Sequence, residues 1–278
     1  MPKSFSVLEF YINDLNFPIN KPPRANKYDY GRLLVQGGDN PYSGALLLSI
    51  MTAIKTGIGI GYVLTSNKNS LAILKDYPEV ICLTELTQLK KIITDNIVIV
   101  SGPGTSDIDV HDSFLNLLTN HKNTSVLDAS MIQSIKYKKF LHPPIITPHE
   151  GEASKLLEIP SKKITNNRSK IAIQISQKFN CITVLKGLNT IICDGKDIYK
   201  CMHGSTNLAK AGTGDVLAGL IGSFLSQGLN PINSCKTAVG LHGYCGDLFK
   251  DRNFSAYELV NKIAQERFSL SPHNWLIF

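Results

Sequence analysis

Short apolar runs, each ending in glycine or in a charged or polar residue, constrain the fold of this chain more than any other feature. Segments with helical spacing, such as residues 42–55, lie between these runs. Strands that are apolar along their whole length are typical of parallel sheets whose two faces are covered by helices. The pattern therefore predicts an α/β fold with a mostly parallel central sheet. The predicted strands are residues 32–36, 97–100, 125–127, 144–146 and 182–185, followed by a hairpin of 189–194 and 197–202.

The carboxyl ends of the predicted strands are the expected ligand site, because open parallel sheets bind ligands there. Gly37, Gly102, Asp128, His149 and Lys186 follow successive strands. The polar stretch 161–170 is expected to form an exposed loop that leads into a helix.

A glycine-rich segment, Gly212-Thr213-Gly214, precedes a predicted helix whose apolar residues recur from Val216 onward. Small residues at a helix N-terminus allow backbone amides to approach an anion, and the helix dipole favours negative charge there. Asp215 begins this helix either as a plain cap or as the base that accepts a proton from an attacking hydroxyl. No G-x-x-x-x-G-K-[ST] segment occurs, so the chain lacks a Walker A motif.

Composition narrows the class of protein. The six cysteines are scattered without a C-x-x-C pair, which favours reduced thiols over disulfides or a zinc site. Neither a membrane-spanning run nor a secretory signal is recognised, so we expect a cytoplasmic protein without membrane association. The net charge of +7 is spread along the chain, and the densest basic cluster, residues 136–139, is interpreted as an exposed face rather than a nucleic-acid site.

Five segments resemble, in the same order, the strings of one enzyme family. Residues 37–45 (GGDNPYSGA) resemble the family string G-G-S-x-x-Y-T-G-A, and 102–104 resemble its G-P-G strand end. Residues 147–152 (TPHEGE) resemble T-P-H-x-G-E, and 185–190 (LKGLNT) resemble L-K-G-x-x-T. With the G-T-G-D of 212–215, the likeness to the ribokinase-like ADP- or ATP-dependent NAD(P)H-hydrate dehydratases extends over about residues 26–263. It implies a single domain, residues 1–278, folded as a doubly wound α/β/α sandwich of ribokinase type.

The resemblance also implies a reaction, the repair of hydrated NADH or NADPH. ADP or ATP phosphorylates the new ring hydroxyl, and phosphate, a better leaving group than water, departs as the dihydronicotinamide re-forms. By this likeness Asp215 is the catalytic base and contacts the substrate together with Ala45, Gly104 and His149. Mg²⁺ is the implied cofactor, and Glu152 would help to hold it through water. The implied nucleotide-binding residues are Lys186, Gly187, Leu188, Asn189, Thr190, Gly212, Thr213 and Gly214.

Simpler interpretations remain open for several of these residues. Lys186 fits an ordinary surface lysine at a strand end, and His149 fits a structural histidine. Glu152 fits a first-turn carboxylate that interacts with the helix dipole. Asp128 is either on the substrate side or structural. His242, on an apolar helix, is interpreted as a packed residue.

The sequence departs from the family at Asn26, where the family usually has His, and at residues 205–207 and Lys210, which precede the glycine-rich segment 212–214. The second departure could alter nucleotide preference. We expect a homo-oligomer by likeness to the family. Many relatives carry a fused epimerase domain, for which this chain is too short, so the epimerase is expected to be a separate protein. A ribokinase-like vitamin kinase, of hydroxyethylthiazole or pyridoxine type, and a nucleotide-binding regulator without catalysis are the alternatives.

Overall fold

The computed structural model describes residues 6–18, 24–94, 96–105, 112–250 and 252–270. The N-terminal residues 1–20, in which no secretory signal is recognised, are therefore described only in part. Within the described residues, one sheet contains ten strands. The strands are Val7–Phe10 (β1), Arg32–Gln36 (β2), Ile60–Leu64 (β3), Ile81–Leu83 (β4), Ile97–Ser101 (β5), Val126–Leu127 (β6), Ile145–Ile146 (β7), Ile182–Leu185 (β8), Ile191–Cys193 (β9) and Ile198–Cys201 (β10).

Helices alternate with most of these strands, as the apolar pattern predicts. Three short 3₁₀ segments, Ile12–Asp14, Ala129–Lys136 and Thr206–Leu208, lie between them. The α-helices are Ser43–Lys55 (α1), Asn67–Asp76 (α2), Leu86–Ile92 (α3), Asp112–Thr119 (α4), Glu150–Leu157 (α5), Ser161–Thr165 (α6), Arg168–Phe179 (α7), Thr213–Ser226 (α8), Pro231–Leu248 (α9) and Ala256–Ser269 (α10).

The sheet order is β1-β10-β9-β8-β7-β6-β5-β2-β3-β4. Neighbouring strands are parallel except that β9 runs antiparallel to both β8 and β10. The chain turns back at β2, which pairs with β3 on one side and β5 on the other. Ligands bind at such a switch point in doubly wound folds. The predicted mostly parallel α/β sheet is confirmed.

Two hydrophobic cores cover the faces of the sheet. Leu33 and Val35 of β2 pack into the core beneath α1, α8, α9 and α10, whereas Leu34 packs into the opposite core with α5 and α7. Successive side chains of a strand point to opposite faces, so a strand buried on both faces has to be apolar at every position. This requirement explains the continuous apolar runs in the sequence.

Helix α8 packs tightly against both α1 and the sheet through two glycines. A Cβ on Gly219 would clash with the backbone carbonyl of Ser49 in α1. A Cβ on Gly222 would clash with Val100 of β5 and lie 2.9 Å from Leu33 Cδ1 of β2. The close approach fixes the helix, and with it the glycine-rich segment at its start, relative to the sheet.

Two features differ from the prediction. The sequence analysis did not identify β1, β3 and β4; β3 contains Gly61, which interrupts the apolar run and leaves room for Ile50 of α1. The expectation of an exposed loop over 161–170 was wrong, because α6 occupies its first half and α7 begins at Arg168. Ile164 is fully buried in this segment and supplies the apolar contact that folds it. Within the described segments, no helix combines the length and apolar character needed to cross a membrane.

Candidate active site

Helix α8 begins beside the carboxyl edge of the sheet, with Gly212 as its N-cap in the left-handed conformation (φ 91°). Thr213 Oγ1 lies 2.7 Å from the Leu208 carbonyl oxygen and 2.9 Å from that of Lys210, which fixes the approach of the chain to the helix. Amides in the first turn have no acceptor within the helix. The first turn, including Gly214, therefore has amides that need an acceptor from outside the helix.

Lys186 follows β8 and reaches the start of α8. Its backbone amide donates to the Pro148 carbonyl (2.8 Å), and its Nζ lies 2.9 Å from Asp128 Oδ1 and 3.9 Å from Glu152 Oε2. The ammonium also lies against Gly214, since a Cβ built there would be 3.3 Å from Nζ. The lysine is thus mostly buried among charges and is not the ordinary surface residue that the sequence left open.

Asp128 is buried at the end of β6, with 3% of its surface exposed. Besides Lys186, it accepts a hydrogen bond of 2.5 Å from Thr147 Oγ1, which follows β7. Burying a carboxylate is costly unless it is paired and hydrogen-bonded, and both conditions are met here. Asp128, whose role the sequence left open, is therefore the partner that fixes Lys186.

Electrostatics distinguish the charged residues of this cluster. Burial and the nearby Asp128 carboxylate raise the pKa of Asp215 to about 6, although Lys186 opposes the shift. Burial alone would lower the pKa of Lys186, but the carboxylates of Asp128 and Glu152 outweigh it and raise that pKa. The lysine stays an ammonium, whereas Asp215 is a carboxylate whose proton affinity suits a base near neutral pH.

The N-terminus of α5 contains His149 and Glu152. His149 Nδ1 accepts from the amides of Gly151 (2.9 Å) and Glu152 (3.2 Å), while Glu152 Oε2 accepts from the His149 amide (2.8 Å). This reciprocal capping explains why the local sequence begins a helix here. These contacts fit the interpretation of His149 as a structural histidine and of Glu152 as a first-turn carboxylate. Glu152 also faces Lys186.

A cavity of about 640 Å³ opens between the start of α8, the loop after β8 and helix α9. Of the predicted nucleotide-binding residues, Asn189 and Gly212 do not line it. Asn189 borders a neighbouring hollow, and Gly212 lies against Leu48 and Ala256. The predicted residues that line the cavity are His149, Lys186, Gly187, Leu188, Thr190, Thr213 and Gly214.

The predicted substrate residues separate into two places. Gly104 and Ala45 meet at the switch point, where a Cβ on Gly104 would lie 3.0 Å from Ala45 Cβ. The loop before α1 and the loop that carries Gly104 are joined by a hydrogen bond from the Asp39 amide to the Gly104 carbonyl (2.8 Å). His149 lies instead on the wall of the cavity.

His242 is buried in α9, as expected of a packed residue, and also borders the cavity. Burial lowers its pKa to about 4, so the ring is neutral near pH 7. Its Nε2 lies 3.0 Å from the Thr213 carbonyl oxygen and donates to it in this neutral form. His242 therefore supports the first turn of α8.

The residues that depart from the family pattern, Asn26, residues 205–207 and Lys210, form hydrogen bonds within the protein. Asn26 accepts from the Tyr28 amide (2.9 Å), Ser205 caps the 3₁₀ segment and Asn207 donates to the Lys250 carbonyl. Lys210 Nζ lies 3.4 Å from Asn253 Oδ1 and 4.4 Å from the centre of the Phe254 ring. These contacts tie the 205–210 wall of the cavity to the segment before α10.

Sequence reasoning overlooked two residues that support this site. Thr147 was quoted only as part of a motif, and Arg168 was assigned to an exposed loop. Arg168 donates to the Leu185 carbonyl (2.9 Å) and to that of Leu188, on both sides of Gly187. Spacing in the sequence carries no signal for either contact, because each depends on elements that meet only in the fold.

No three His, Cys, Asp or Glu side chains within the described residues cluster closely enough to hold a metal ion directly. Asp128, Glu152 and Asp215 nevertheless outnumber Lys186 at this edge of the sheet. The excess of negative charge is compatible with a cation held partly through water, since Mg²⁺ commonly keeps several water ligands.

Comparisons with known proteins identify the family that this chain resembles. The family model described as NAD(P)H-hydrate dehydratase matches residues 33–267. The bifunctional NAD(P)H-hydrate repair enzyme Nnr of Coxiella burnetii is 31% identical over 227 residues, covering 80% of this chain and 46% of that protein. This chain spans about half the length of the bifunctional relatives it matches.

Relatives of similar length also match. The ADP-dependent (S)-NAD(P)H-hydrate dehydratase of Bacillus subtilis is 29% identical over 262 residues, covering 91% of this chain and 92% of the relative. The crystal structure of the ADP/ATP-dependent dehydratase from B. subtilis, co-crystallized with ATP/Mg²⁺, has a TM-score of 0.83 at 26% identity, covering 93% and 95% of the two chains. Because the family model matches most of the chain and the Coxiella burnetii relative is 31% identical over 80% of it, the chain belongs to the NAD(P)H-hydrate dehydratase family.

Proposed function

We propose that this chain catalyses the ADP- or ATP-dependent dehydration of hydrated NADH or NADPH. The observation that carries the proposal is the position of Asp215, a carboxylate with a raised pKa, in the first turn of α8 beside the Lys186 ammonium. A hydroxyl that approaches a phosphate bound at this turn would meet a proton acceptor. The match to dehydratases of similar length supports the choice of substrate.

The proposed chemistry has two steps. The ring hydroxyl oxygen bonds to the terminal phosphorus of the nucleotide, the bond between that phosphorus and the nucleotide oxygen breaks, and Asp215 accepts the hydroxyl proton. The carbon–oxygen bond of the phosphate ester then breaks, phosphate leaves with the electron pair, and loss of a ring proton re-forms the dihydronicotinamide. Gly214 and its neighbouring amides, with Lys186, hold the phosphate during transfer.

A nucleotide polyphosphate would face three carboxylates here, those of Asp128, Glu152 and Asp215. Bound Mg²⁺ would offset this repulsion and neutralise charge on the transferred group. Glu152 is the proposed residue that holds it, through water. Lys186, Gly187, Leu188 and Thr190 would line the nucleotide, and Asn189 and Gly212 would support that loop and turn.

Ala45 and Gly104 are proposed to bind the hydrated dinucleotide at the switch point. His149 is proposed to contact it from the wall of the cavity, since its ring is 60% exposed and its Nδ1 is engaged in capping. Its Nε2, which lies 3.6 Å from Glu152 Oε1, is then the ring nitrogen left for a ligand.

The test is to incubate the purified chain with hydrated NADH, Mg²⁺ and ADP or ATP, and to follow the absorbance of restored NADH. We expect activity that requires both nucleotide and Mg²⁺. Equal activity without nucleotide would contradict the proposal. Phosphorylation of a vitamin alcohol without action on the hydrate would indicate the kinase alternative instead.

Three wider proposals follow from family membership. We infer a functional link to an NAD(P)H-hydrate epimerase, consistent with relatives named as bifunctional repair enzymes. A homo-oligomer and a cytoplasmic location stay predictions, to be tested by light scattering and by fractionation of cells.

A further inference from the structure

Arg168, the first residue of α7, lies against the loop after β8 and belongs to none of the family strings. It borders a second hollow beside the cavity, together with Leu188 and Asn189, and does not line the cavity itself. The side chain is 15% exposed. An arginine buried to this extent beside a ligand-binding loop requires an explanation, because burying a guanidinium is costly unless its donors are used.

The guanidinium of Arg168 joins the two ends of the loop after β8. Nη2 donates to the Leu185 carbonyl (2.9 Å) and Nη1 donates to the Leu188 carbonyl. Between these contacts, a Cβ built on Gly187 would lie 2.9 Å from Nη2 and 3.1 Å from Cζ, so the guanidinium packs directly on the Gly187 backbone. A planar side chain with several fixed donors can join two carbonyls in this way, whereas a lysine ammonium presents a single point charge.

Glu150 holds the guanidinium from the other side. Its Oε1 lies 3.7 Å from Arg168 Nε, so the two groups form an ion pair while the buried Nε has no hydrogen bond. Its Oε2 accepts a hydrogen bond of 2.6 Å from Thr165 Oγ1. Glu150 occupies the variable position of the T-P-H-x-G-E string, so the family motif carries no information about this contact. Burial lowers the pKa of Arg168, and the nearby Glu150 carboxylate offsets only part of that shift. An arginine stays charged at neutral pH even so.

We propose that Arg168 is a positioning residue that fixes the nucleotide-binding loop, residues 186–190, by joining the carbonyls on both sides of Gly187, with Glu150 holding its guanidinium in place. The proposal rests on the function proposed above. A loop that is ordered before the ligand arrives loses less conformational entropy on binding, so its affinity is higher. Because Lys186 and Thr190 belong to this loop, the effect should fall on the nucleotide and not on the hydrated dinucleotide.

The variant Arg168→Met keeps the length of the side chain and removes its donors and charge. We expect it to weaken the binding of ADP with Mg²⁺, measured by calorimetry, about tenfold to a hundredfold. Affinity for hydrated NADH should stay within about twofold, and amide hydrogen exchange should accelerate in peptides that cover 185–190. The matched control is Arg252→Met, since Arg252 is 67% exposed and pairs with Glu258 on the surface. In this control, the affinities for both ligands and the amide exchange of 185–190 should stay unchanged.

Glu150→Gln removes the ion pair and retains an oxygen for Thr165. It should weaken nucleotide binding less than Arg168→Met does, and the double variant should be no worse than Arg168→Met alone. Unchanged nucleotide affinity and loop exchange in Arg168→Met would overturn the inference. Equal losses for both ligands, with faster exchange throughout the protein, would also overturn it by identifying a general structural arginine.

Failure of the proposed function gives a different result. If the unaltered protein binds no nucleotide, the function is wrong, while hydrogen exchange of the free protein still tests the effect of Arg168 on the loop. If the unaltered protein binds nucleotide and Arg168→Met binds it equally well, only the inference is wrong.

Discussion

The two sides of the proposed active site are built by different means. On the nucleotide side, Lys186 is held by side-chain charges from other elements, Asp128 at 2.9 Å and Glu152 at 3.9 Å. On the substrate side, Gly104 and Ala45 are held by close steric approach. A hydrogen bond joins the loop before α1 to the loop that carries Gly104. A charged network responds to pH and to loss of one partner, whereas a steric contact responds to the size of a side chain.

The largest effect should come from removing the proposed proton acceptor, Asp215. Asp215→Asn keeps the size of the side chain but cannot accept a proton. Because general-base catalysis contributes about 10²–10⁴-fold, kcat should fall at least about 100-fold while both ligands still bind. Steady-state kinetics and calorimetry would measure this, with Asp197→Asn, at an exposed hairpin turn, as the control. A normal kcat in a folded Asp215→Asn protein would mean that the proton goes elsewhere.

The charged side should then break when its lysine is removed. Lys186→Met takes the ammonium away from Gly214, and we expect nucleotide affinity to fall about tenfold to a hundredfold with little change for the dinucleotide. The variant should also unfold at a lower temperature, since it leaves the buried Asp128 carboxylate without its cation.

Adding Asp128→Asn to Lys186→Met separates these two effects. The double variant should recover stability in a thermal unfolding experiment but not nucleotide affinity. Recovery of affinity would show that Asp128, and not the lost ammonium, is responsible for the weaker binding.

The steric side should break when a methyl group is added. Gly104→Ala introduces a Cβ that would clash with the Tyr42 carbonyl at a backbone φ of +69°, so we expect a loss of about 1–3 kcal/mol in the free energy of unfolding. Dinucleotide affinity should fall more than nucleotide affinity. Gly228→Ala is the matched control: φ there is +101° and no atom lies within 4 Å, so denaturant unfolding of this variant reports the backbone cost alone. Equal losses in the two variants would refute the steric contact.

The smallest effect concerns pH and belongs to the charged side. With the pKa of Asp215 raised to about 6, kcat/KM should rise with pH and reach half of its plateau near pH 6. Because this pKa lies above the value of 3.8 for a free aspartate, the charged form lowers stability above pH 6, and the cost fades as the pH falls toward 4. Asp215→Asn should therefore be more stable than the unaltered protein at pH 7 and converge with it near pH 4. A difference independent of pH would contradict this assignment.

The sequence predicted the interior of the sheet better than its edges. Strands β2, β5 and β8 are buried on both faces over most of their length and are mostly apolar, so their runs were visible. Strand β1 is an edge strand with Val7 and Leu8 40% and 50% exposed, and β4, at the other edge, has three residues. Such strands have little apolar signal, because their stability comes from pairing with a neighbour.

The proposed site shows the same division. Segments such as Gly212–Asp215 are contiguous, so the sequence predicted which parts of the chain line the edge of the sheet. The ion pair of Lys186 with Asp128 joins residues 58 positions apart, and Arg168 reaches its loop from another helix. Contacts of this kind depend on the packing of distant elements and have no periodicity or spacing from which to infer them.

The fit of α8 against the rest of the molecule bears on how this protein could change its specificity. Gly219 and Gly222 leave no room for a methyl group against α1 and the sheet, so the helix cannot slide or tilt without disrupting the core. The anion-binding turn is therefore a fixed reference point around which ligands must be placed. New substrate or nucleotide preferences would have to arise by substitution in the surrounding loops, because Gly219 and Gly222 hold the helix in place.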